Sequence, residues 1–295
     1  RICPIGAHSD HQLGKITGLA IDKGIHIASA APDEQEKQGI EHHLIEFLEP
    51  DNAFSVADYV LLARKKIDEI YARGNLPIIV GGTGLYYSSL VDNIEFIDEQ
   101  TDLSLRQKFE DEFNTLGAEA LLSKLSEFDP ESASRLHPNN KRRIIRAFEV
   151  YYSTGRTITE QNEISKLKKA DFSYLVLGVN YKDREKLYNR INRRVDIMLE
   201  NGLLEEAEAF YKNYPSQTAV NAIGYKELKP FIDSEKSLEE CVESLKQATR
   251  KYAKRQLTWF NRNEKINWFY KDLYNDADEF YKSIDTIINK FLKGE

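Results

Sequence analysis

Three glycines stand where a short apolar run gives way to a helical pattern. Residues 78–80 have the composition of a buried strand, and a helix is predicted to begin at about Leu85. The residues between them are Gly81, Gly82, Thr83 and Gly84. Glycines at a strand-to-helix turn leave backbone N–H groups uncovered at a helix N-terminus, which suits an anion or a closely approaching ligand. A tight turn that binds no ligand has the same spacing, because a short glycine motif is a weak signal alone.

Two later helical stretches are rich in basic side chains, and the second interleaves them with aromatic rings. They contain Arg142, Arg143 and Arg146 in the first, and Lys254, Arg255, Thr258, Trp259 and Phe260 in the second. Guanidinium groups suit two-point contacts with phosphates, and aromatic rings suit stacking on unpaired bases. The alternative for both stretches is an ordinary solvated helix surface.

The distribution of charge is compatible with RNA binding, although the total charge does not suggest it. The formal net charge is −7, but residues 141–194 contain fourteen Lys or Arg against six Asp or Glu. Local potential steers binding more than total charge does, so a basic stripe on an acidic protein can still bind phosphates. With 41% hydrophobic and 30% charged residues, the chain is expected to be globular with a real core.

Local patterns place these residues on alternating helices and strands. Ser55 and Asp58 form a capping arrangement for a helix that leads into the strand before the glycines. Residues 174–181 have the pattern of a second buried strand. Between residues 98 and 169 the pattern is helical and strand-poor, and from residue 263 onward it predicts only a peripheral helix. Helices alternating with strands favour an α/β fold with a parallel sheet.

Five motifs in chain order resemble those of the tRNA dimethylallyltransferase family, also called isopentenyl-diphosphate:tRNA transferases. One of them is PIIVGGTGLYYSSL, which begins at Pro77. The others are HHLI at 42–45, HPN at 137–139 with RRIIRA at 142–147, IGYKE at 223–227, and TR at 249–250 with KRQLTWF at 254–260. The resemblance runs from about Pro32 to about Trp268. Five ordered motifs at family-like spacing are a much stronger signal than one glycine motif.

The resemblance implies a fold and a division into domains. The expected fold is α/β, with a P-loop-NTPase-like parallel sheet flanked by helices, a helical insertion domain, and an N-terminal phosphate-loop unit that is missing or replaced. The expected domains are an atypical N-terminal segment (1–31), an α/β transferase core (32–98 and 170–295) and a helical insertion domain that contacts tRNA (99–169). A fold of this class also implies nucleotide- or ATP-type phosphate binding.

The resemblance also implies an activity and its partners. The expected reaction transfers a dimethylallyl group from dimethylallyl diphosphate to N6 of the adenine 3′ of the anticodon, at position 37 of tRNA. The amine must lose a proton, the diphosphate must be stabilised by cations and N–H groups, commonly with Mg²⁺, and the adenine must leave its stack. The implied partners are therefore tRNA, dimethylallyl diphosphate and Mg²⁺.

The resemblance to the family motifs also implies roles for individual residues. Thr83 is placed beside the reacting centre, and Gly81, Gly82 and Arg194 are placed on the diphosphate. The residues placed on tRNA are Arg106, Arg142, Arg143, Ile144, Ile145, Arg146, Asn221, Ala222, Ile223, Gly224, Tyr225, Lys226, Lys254, Arg255, Gln256, Leu257, Thr258, Trp259 and Phe260. The ring of Tyr225 suits either stacking on a base or packing into the core. No residue is assigned as a metal ligand.

The N-terminal segment departs from the family pattern. The family opens with Gly-x-x-x-x-Gly-Lys-Ser/Thr, which does not occur in these 295 residues, and the Asp-Ser segment that carries the expected base is absent from this region. Residues 1–24 instead resemble the N-terminal motif of galactokinase-like sugar kinases. We therefore expect a joined or misassembled chain with its seam near residues 30–33, or a diverged N-terminus. Because the chain opens at Arg1 rather than Met, its start is expected to be incomplete.

Cysteine use and hydropathy suggest where the protein works. Cys3 and Cys241 form no Cys-x-x-Cys pair, which argues against a zinc site or a disulfide framework and fits a reducing compartment. Neither a signal peptide nor a membrane-length apolar run is visible, so we expect a cytoplasmic monomer with no membrane partner. Two other function classes stay open. One is a non-catalytic tRNA-binding remnant, and the other is a small-molecule kinase, which the N-terminal motif suggests.

Overall fold

Helices dominate the computed structural model, which describes residues 15–21, 42–45, 54–94, 103–167, 172–213 and 222–294. The strands in these ranges are β1 (Lys15–Ile21), β2 (His42–Ile45), β3 (Leu76–Ile79), β4 (Val176–Asn180) and β5 (Ile266–Tyr270). The helices are α1 (Val56–Ala72), α2 (Gly84–Val91), α3 (Leu103–Leu116), α4 (Ala118–Ser126), α5 (Pro130–Arg135), α6 (Lys141–Thr154), α7 (Ile158–Leu167), α8 (Arg184–Glu200), α9 (Leu203–Asn213), α10 (Tyr225–Ile232), α11 (Leu238–Phe260) and α12 (Ala277–Lys293). No described helix combines the length and apolar character needed to cross a bilayer.

The strands form two small sheets. β4 and β5 pair in parallel, with Val176 opposite Ile266, so the predicted α/β fold with a parallel sheet is confirmed. β3 differs from the expectation, because it pairs antiparallel with β1 in a sheet ordered β2-β1-β3. The partner of β3 comes from the N-terminal segment, where the sequence departs from the family pattern, and no local pattern around β3 could specify that partner.

The sequence predicts only a peripheral helix from residue 263 onward, and this prediction is wrong for the first residues of the segment. Residues Ile266–Tyr270 form β5, and only Ala277–Lys293 form the helix. Phe269 and Phe280 are both 5% exposed and meet edge-on with ring centroids 6.4 Å apart. These five residues form a strand through their parallel pairing with β4, and α12 covers the strand at Phe269.

The chain divides into two compact units. The first, here called the core unit, contains the described residues of 1–87 and 173–295, and the second, the insertion unit, contains those of 88–172. α3 to α7 lie in the insertion unit. The bounds expected for the domains, 32–98, 99–169 and 170–295, stay predictions.

Each unit has its own apolar core. In the core unit, α8, α9, α10 and α11 enclose a cluster in which Ala207, Leu228 and Leu245 are fully buried. Cys241 is 1% exposed in this cluster, as expected for a buried apolar residue. In the insertion unit Leu121 and Leu125 are fully buried together with residues of α3 and α6. Burial of apolar surface of this kind is the main driving force for folding.

Capping residues fix the helix ends that position the site. Ser55 Oγ accepts a hydrogen bond from Asp58 N (3.2 Å), and the Asp58 carboxylate accepts one from Ser55 N (2.7 Å), which is the predicted capping box of α1. Ser237 and Glu240 make the same reciprocal pair at the start of α11. These local bonds satisfy N–H groups that a helix start otherwise leaves unpaired.

Candidate active site and RNA-contact residues

The glycine loop, residues 81–84, connects β3 to α2 as the sequence predicts. Helix α2 begins at Gly84, and Tyr87 N donates to Thr83 O over 3.0 Å in its first turn. A side chain at Gly81 would meet nothing within 4 Å, so the backbone there is open to an approaching ligand. Thr83 is half-buried beside it. The loop therefore lies directly before a helix N-terminus, the position at which an anion-binding turn is expected.

Two residues of α11 hold the glycine loop. Gln256 Nε2 donates a hydrogen bond to Gly82 O over 2.7 Å. The indole of Trp259 packs so closely on Gly84 that a Cβ atom there would lie 2.4 Å from the ring. The glycine at position 84 is thus required by this neighbour, since even a methyl group would overlap the indole.

Two further contacts fix the helix that follows the loop. Tyr87 meets Phe260 edge-on with centroids 5.4 Å apart. Asn263 Nδ2 donates to the Tyr87 hydroxyl over 3.0 Å. The glycine motif and the last motif, 174 residues apart at Gly82 and Gln256, therefore meet in one place. Tyr87 and Asn263 were not among the predicted site residues, and no local signal distinguishes them.

These contacts change the interpretation of the α11 motif. Gln256, Trp259 and Phe260 were placed on tRNA, yet each contacts the glycine loop or α2. Trp259 keeps 38% of its surface exposed, so its ring has room for a second contact. The roles of these three residues toward tRNA stay predictions.

Other α11 residues in the predicted RNA set point outward. Lys254, Arg255 and Thr258 are exposed, and Leu257 is half-buried. The Arg255 guanidinium lies 5.4 Å from the Tyr252 ring centroid, which orients the side chain along the helix. This face suits phosphate contact, in contrast to the face that holds the glycine loop.

Polar contacts join α8, which carries Arg194, to α11. Arg250 Nη1 donates to Asn192 Oδ1 over 2.7 Å, and Lys246 Nζ lies 2.6 Å from Asp196 Oδ1. Arg194 is half-buried on the same helix. Because α11 also holds the glycine loop, the loop and the helix of Arg194 are fixed by a common neighbour.

An apolar wall lies behind the loop. Tyr59 of α1 stacks on Tyr86 of α2, with ring centroids 4.6 Å apart and planes 16° apart. Burial, and then the charge of Tyr174, raises the pKa of Tyr59 to about 12. The Tyr59 phenol therefore stays neutral at physiological pH and acts as packing.

The insertion unit carries four predicted RNA-contact arginines. Arg142 and Arg143 are exposed at the start of α6, while Arg106 and Arg146 approach the carboxylate of Glu149. Ile144 is fully buried and Ile145 is 3% exposed, so their side chains pack in the core and present nothing to RNA. The reason is helical periodicity, which turns these two residues inward between outward-facing arginines.

The third predicted RNA segment, 221–226, is mostly buried where the structure describes it. Ala222 is fully buried, and Tyr225 is 1% exposed, packs on Phe210 with centroids 4.8 Å apart, and donates from its hydroxyl to Glu206 Oε1 over 2.5 Å. The ring of Tyr225 thus packs into the core, which is the other possibility that the sequence leaves open, and offers no face to a base.

The remaining members of segment 221–226 differ from one another. Ile223 is 8% exposed, Gly224 is the N-cap residue of α10 with a φ of 113°, and Lys226 is exposed. Asn221 lies outside the described residues. Lys226 is therefore the member of this segment whose side chain is placed to reach a phosphate.

Residues for a metal ion are not found in the described part of the chain. It contains no group of three or more His, Cys, Asp or Glu side chains that could hold one. Protein-bound Mg²⁺ commonly uses one or two carboxylates together with phosphate oxygens and water. A site of that kind needs no cluster of three, so Mg²⁺ binding stays a prediction, and no step of the proposed chemistry depends on it.

Comparison with known proteins agrees with the five motifs. The family model for IPP transferases matches residues 21–263, which starts before the Pro32 at which the motif resemblance begins. The tRNA dimethylallyltransferase of Acetivibrio thermocellus is 43% identical over 289 residues, 97% of this chain and 92% of that protein.

Two solved structures are also similar. The full-length tRNA isopentenylpyrophosphate transferase of Bacillus halodurans has a TM-score of 0.62 and 38% identity, covering 89% of this chain and 82% of that one. A eukaryotic dimethylallyltransferase acting on tRNA has a TM-score of 0.73 and 28% identity, covering 89% and 68%. On the extent of these matches, the chain belongs to the IPP transferase family, the family of the tRNA dimethylallyltransferases.

Proposed function

We propose that this chain transfers a dimethylallyl group from dimethylallyl diphosphate to N6 of the adenine 3′ of the anticodon, at position 37 of tRNA. The observation that carries the proposal is the glycine loop held by α11 through Gln256 and Trp259. This contact joins two of the motifs that resemble the family. A relative that is similar over 97% of this chain is named tRNA dimethylallyltransferase.

The proposed chemistry is a displacement at carbon. The N6 amine attacks C1 of the donor, the bond from C1 to the diphosphate oxygen breaks, diphosphate leaves with the bonding electrons, and the amine loses a proton to water. Backbone N–H groups of the glycine loop at the start of α2, together with the Arg194 guanidinium, receive the developing diphosphate charge. The Thr83 hydroxyl borders the reacting centre.

The tRNA is held by cations on both units. Arg142 and Arg143 are exposed on α6, and Lys226, Lys254 and Arg255 are exposed on α10 and α11. Such side chains bind phosphates without reading sequence, and they position the RNA so that one base can leave its stack. The choice of adenine then depends on contacts at the site itself.

The proposal includes a limit on rate. The printed residues contain no Gly-x-x-x-x-Gly-Lys-Ser/Thr pattern, and their N-terminal region lacks the Asp-Ser segment of the family. Loss of a general base and of a phosphate-binding loop would each lower the rate on the order of 10²-fold or more. We therefore expect the 295 residues alone to bind tRNA and to transfer the prenyl group slowly.

A nucleoside-mass assay tests this function. The purified 295-residue protein would be incubated with dimethylallyl diphosphate, Mg²⁺ and an unmodified tRNA carrying adenine 3′ of its anticodon. A slow mass gain on that adenine, abolished in a tRNA with guanine there, is the expected result. A fast multiple-turnover reaction would contradict the proposed limit on rate, and transfer to another nucleoside would contradict the proposed substrate.

The second candidate is a non-catalytic tRNA-binding protein. It is favoured by a specific contrast, since the exposed basic residues of α6 and α11 are present while the phosphate-loop pattern is not among the printed residues. This candidate predicts salt-dependent tRNA binding without any product, even in a single-turnover reaction with excess protein. Any measurable prenylated adenosine would exclude it.

A further inference from the structure

Glu149 is a buried carboxylate that the proposed function does not use. It lies on α6 between two buried apolar residues, Phe148 and Val150, and is 5% exposed. Charged side chains are almost never buried to this extent unless they are paired. The identity of its partners therefore indicates what the buried charge is for.

Both partners belong to the predicted RNA-contact set. Arg106 Nε of α3 lies 2.8 Å from Glu149 Oε1, and Arg146 Nη1, one turn earlier on α6, lies 3.5 Å from Oε2. The Oε1 atom is buried, and its contact with Arg106 is an ion pair without hydrogen-bond alignment. One carboxylate thus holds a guanidinium on each of its two oxygens.

The two arginines are anchored at Glu149 and are about half exposed to solvent. Their side chains are 49% and 48% exposed, whereas the Glu149 side chain is 7% exposed. Arg106 approaches Glu149 through Nε, which leaves the fork of its two terminal nitrogens for another anion. Arg142 lies one turn before Arg146 on the same helix, so the basic surface continues beyond the pair.

We propose that Glu149 is a positioning residue that fixes Arg106 and Arg146 as an ordered pair for phosphodiester groups of RNA, an inference that rests on the proposed tRNA-binding function. An arginine loses much rotamer freedom when it binds, and pre-ordering it removes part of that penalty from the binding step. Glu149 also places a negative charge near the RNA, which by itself weakens binding. Positioning and simple charge therefore predict opposite effects when Glu149 is neutralised.

Binding of an unmodified tRNA by Glu149→Gln, measured by fluorescence anisotropy, tests the proposal. The expected result is about tenfold weaker binding, because the variant must order two arginine side chains on binding that the wild type already holds in place, although the variant carries one negative charge less. The matched control is Glu112→Gln in the same unit, where Glu112 pairs with Lys124 over 2.9 Å. This control makes the same change of charge without touching either arginine, and it should bind tRNA at least as tightly as the wild type.

A double-mutant cycle separates positioning from a general loss of structure. In an Arg106→Ala background, Glu149→Gln should weaken tRNA binding by less than about threefold, because the anchored arginine is already gone. Arg106→Lys is the second variant, in case Glu149→Gln does not fold. It keeps the charge and loses the Nε–H group that faces Glu149, and weaker tRNA binding is again expected.

Four results would overturn the inference. Wild-type tRNA affinity in Glu149→Gln, or an undiminished effect in the Arg106→Ala background, would overturn the inference alone. Wild-type affinity in Arg106→Lys would do the same. Failure of the wild-type protein to bind tRNA would overturn the proposed function and this inference with it.

Discussion

At the scale of single residues, the close approach of an indole ring governs position 84. A Cβ atom on Gly84 would lie 2.4 Å from Trp259, whereas one on Gly81 would meet nothing within 4 Å. We expect Gly84→Ala to lower the free energy of unfolding by about 1–3 kcal/mol, because the ring or the loop must move to remove the overlap. Urea denaturation followed by tryptophan fluorescence measures this change.

Gly81→Ala is the matched variant. Its unfolding free energy should stay within about 0.5 kcal/mol of the wild type, since the added methyl group contacts no protein atom. Its prenyl transfer should nevertheless be slower, because the prediction places the diphosphate in that open space. Equal destabilisation by the two alanine variants would contradict the structural argument for Gly84.

Two neighbouring residues of α11 should have different effects, one on prenyl transfer and the other on tRNA binding. Gln256→Ala removes the donor to Gly82 O, and we expect prenyl transfer to slow while tRNA affinity changes by less than about twofold. Lys254→Ala removes an exposed cation, and we expect weaker tRNA binding with transfer at saturating tRNA retained. Filter binding and single-turnover transfer measured side by side would show this. A large loss of tRNA affinity in Gln256→Ala would instead favour direct RNA contact by Gln256.

What a residue does was predictable from the sequence where its role is local. The glycine turn was predicted because glycines mark turns of the backbone, and a short stretch of sequence is enough to show them. The role of Gln256 was not found, because its acceptor lies 174 residues away. Glu149 had a usable signal, because it is a charge at a position that the helical period assigns to the core, four residues after Ile145. Its partner Arg146 is local on α6, but its partner Arg106 is set by packing of α3 on α6.

At the scale of elements, one carboxylate joins the starts of two helices in the insertion unit. Asp129 accepts from Ser132 N at the start of α5 (3.0 Å) and from the Thr159 hydroxyl in α7 (2.6 Å). Burial alone would raise the pKa of Asp129, but the hydrogen bonds from Thr159 and Ser132 outweigh it and hold the pKa below its usual value. The charged form is thus the one that the fold stabilises.

This arrangement predicts an acid-sensitive element. A carboxyl whose folded pKa lies below its unfolded value of about 3.9 stabilises the fold above that pH, and loses this effect as pH falls through the folded pKa. We expect Asp129→Asn to lower stability by about 1–2 kcal/mol at pH 7, and the difference from wild type to shrink below about pH 4.

Denaturation at pH 7 and near pH 3 provides the comparison for Asp129. Asp111→Asn, which changes an exposed carboxylate that accepts from Gln107 over 2.9 Å, serves as the control and should have little effect at either pH. A constant difference between wild type and Asp129→Asn across this range would contradict the argument.

Helices were predicted from the sequence better than strands, for a physical reason. The starts of α1 and α11 depend on Ser55 with Asp58 and on Ser237 with Glu240, pairs only three residues apart. β5 was missed, because its evidence lies in its partner β4 and in the covering helix α12, both distant in sequence. The antiparallel pairing of β3 with β1 is non-local in the same way.

At the scale of the whole molecule, an acidic protein is proposed to bind a polyanion through local patches. We expect tRNA affinity to fall with salt, with a slope set by the number of phosphate contacts and not by the net charge of −7. Arg142→Ala combined with Arg143→Ala should reduce the slope of log K against log salt concentration by about 1.4–1.8, because each phosphate that is no longer neutralised lowers it by about 0.7–0.9. Titrations at several salt concentrations measure that slope.

Arg135→Ala is the control for this prediction. Arg135 is exposed and pairs with Glu131 over 3.0 Å on α5, outside the predicted RNA set. Its loss should leave the slope within about 0.3 of wild type, because a general change in charge contributes little compared with a phosphate contact. An unchanged slope in the double variant would mean that α6 does not meet the RNA backbone.

The hydrogen bond from Gln256 to Gly82 also has a consequence for biosynthesis. The two residues are 174 positions apart, so a ribosome adding about 5–20 residues per second needs about 9–35 s to travel from one to the other. The insertion unit closes its core earlier, because Phe109 and Phe148, which stack 4.7 Å apart, both precede α11. The residues of the insertion unit are therefore all synthesised before the anchor of the glycine loop, and the loop is held only after synthesis has passed residue 256.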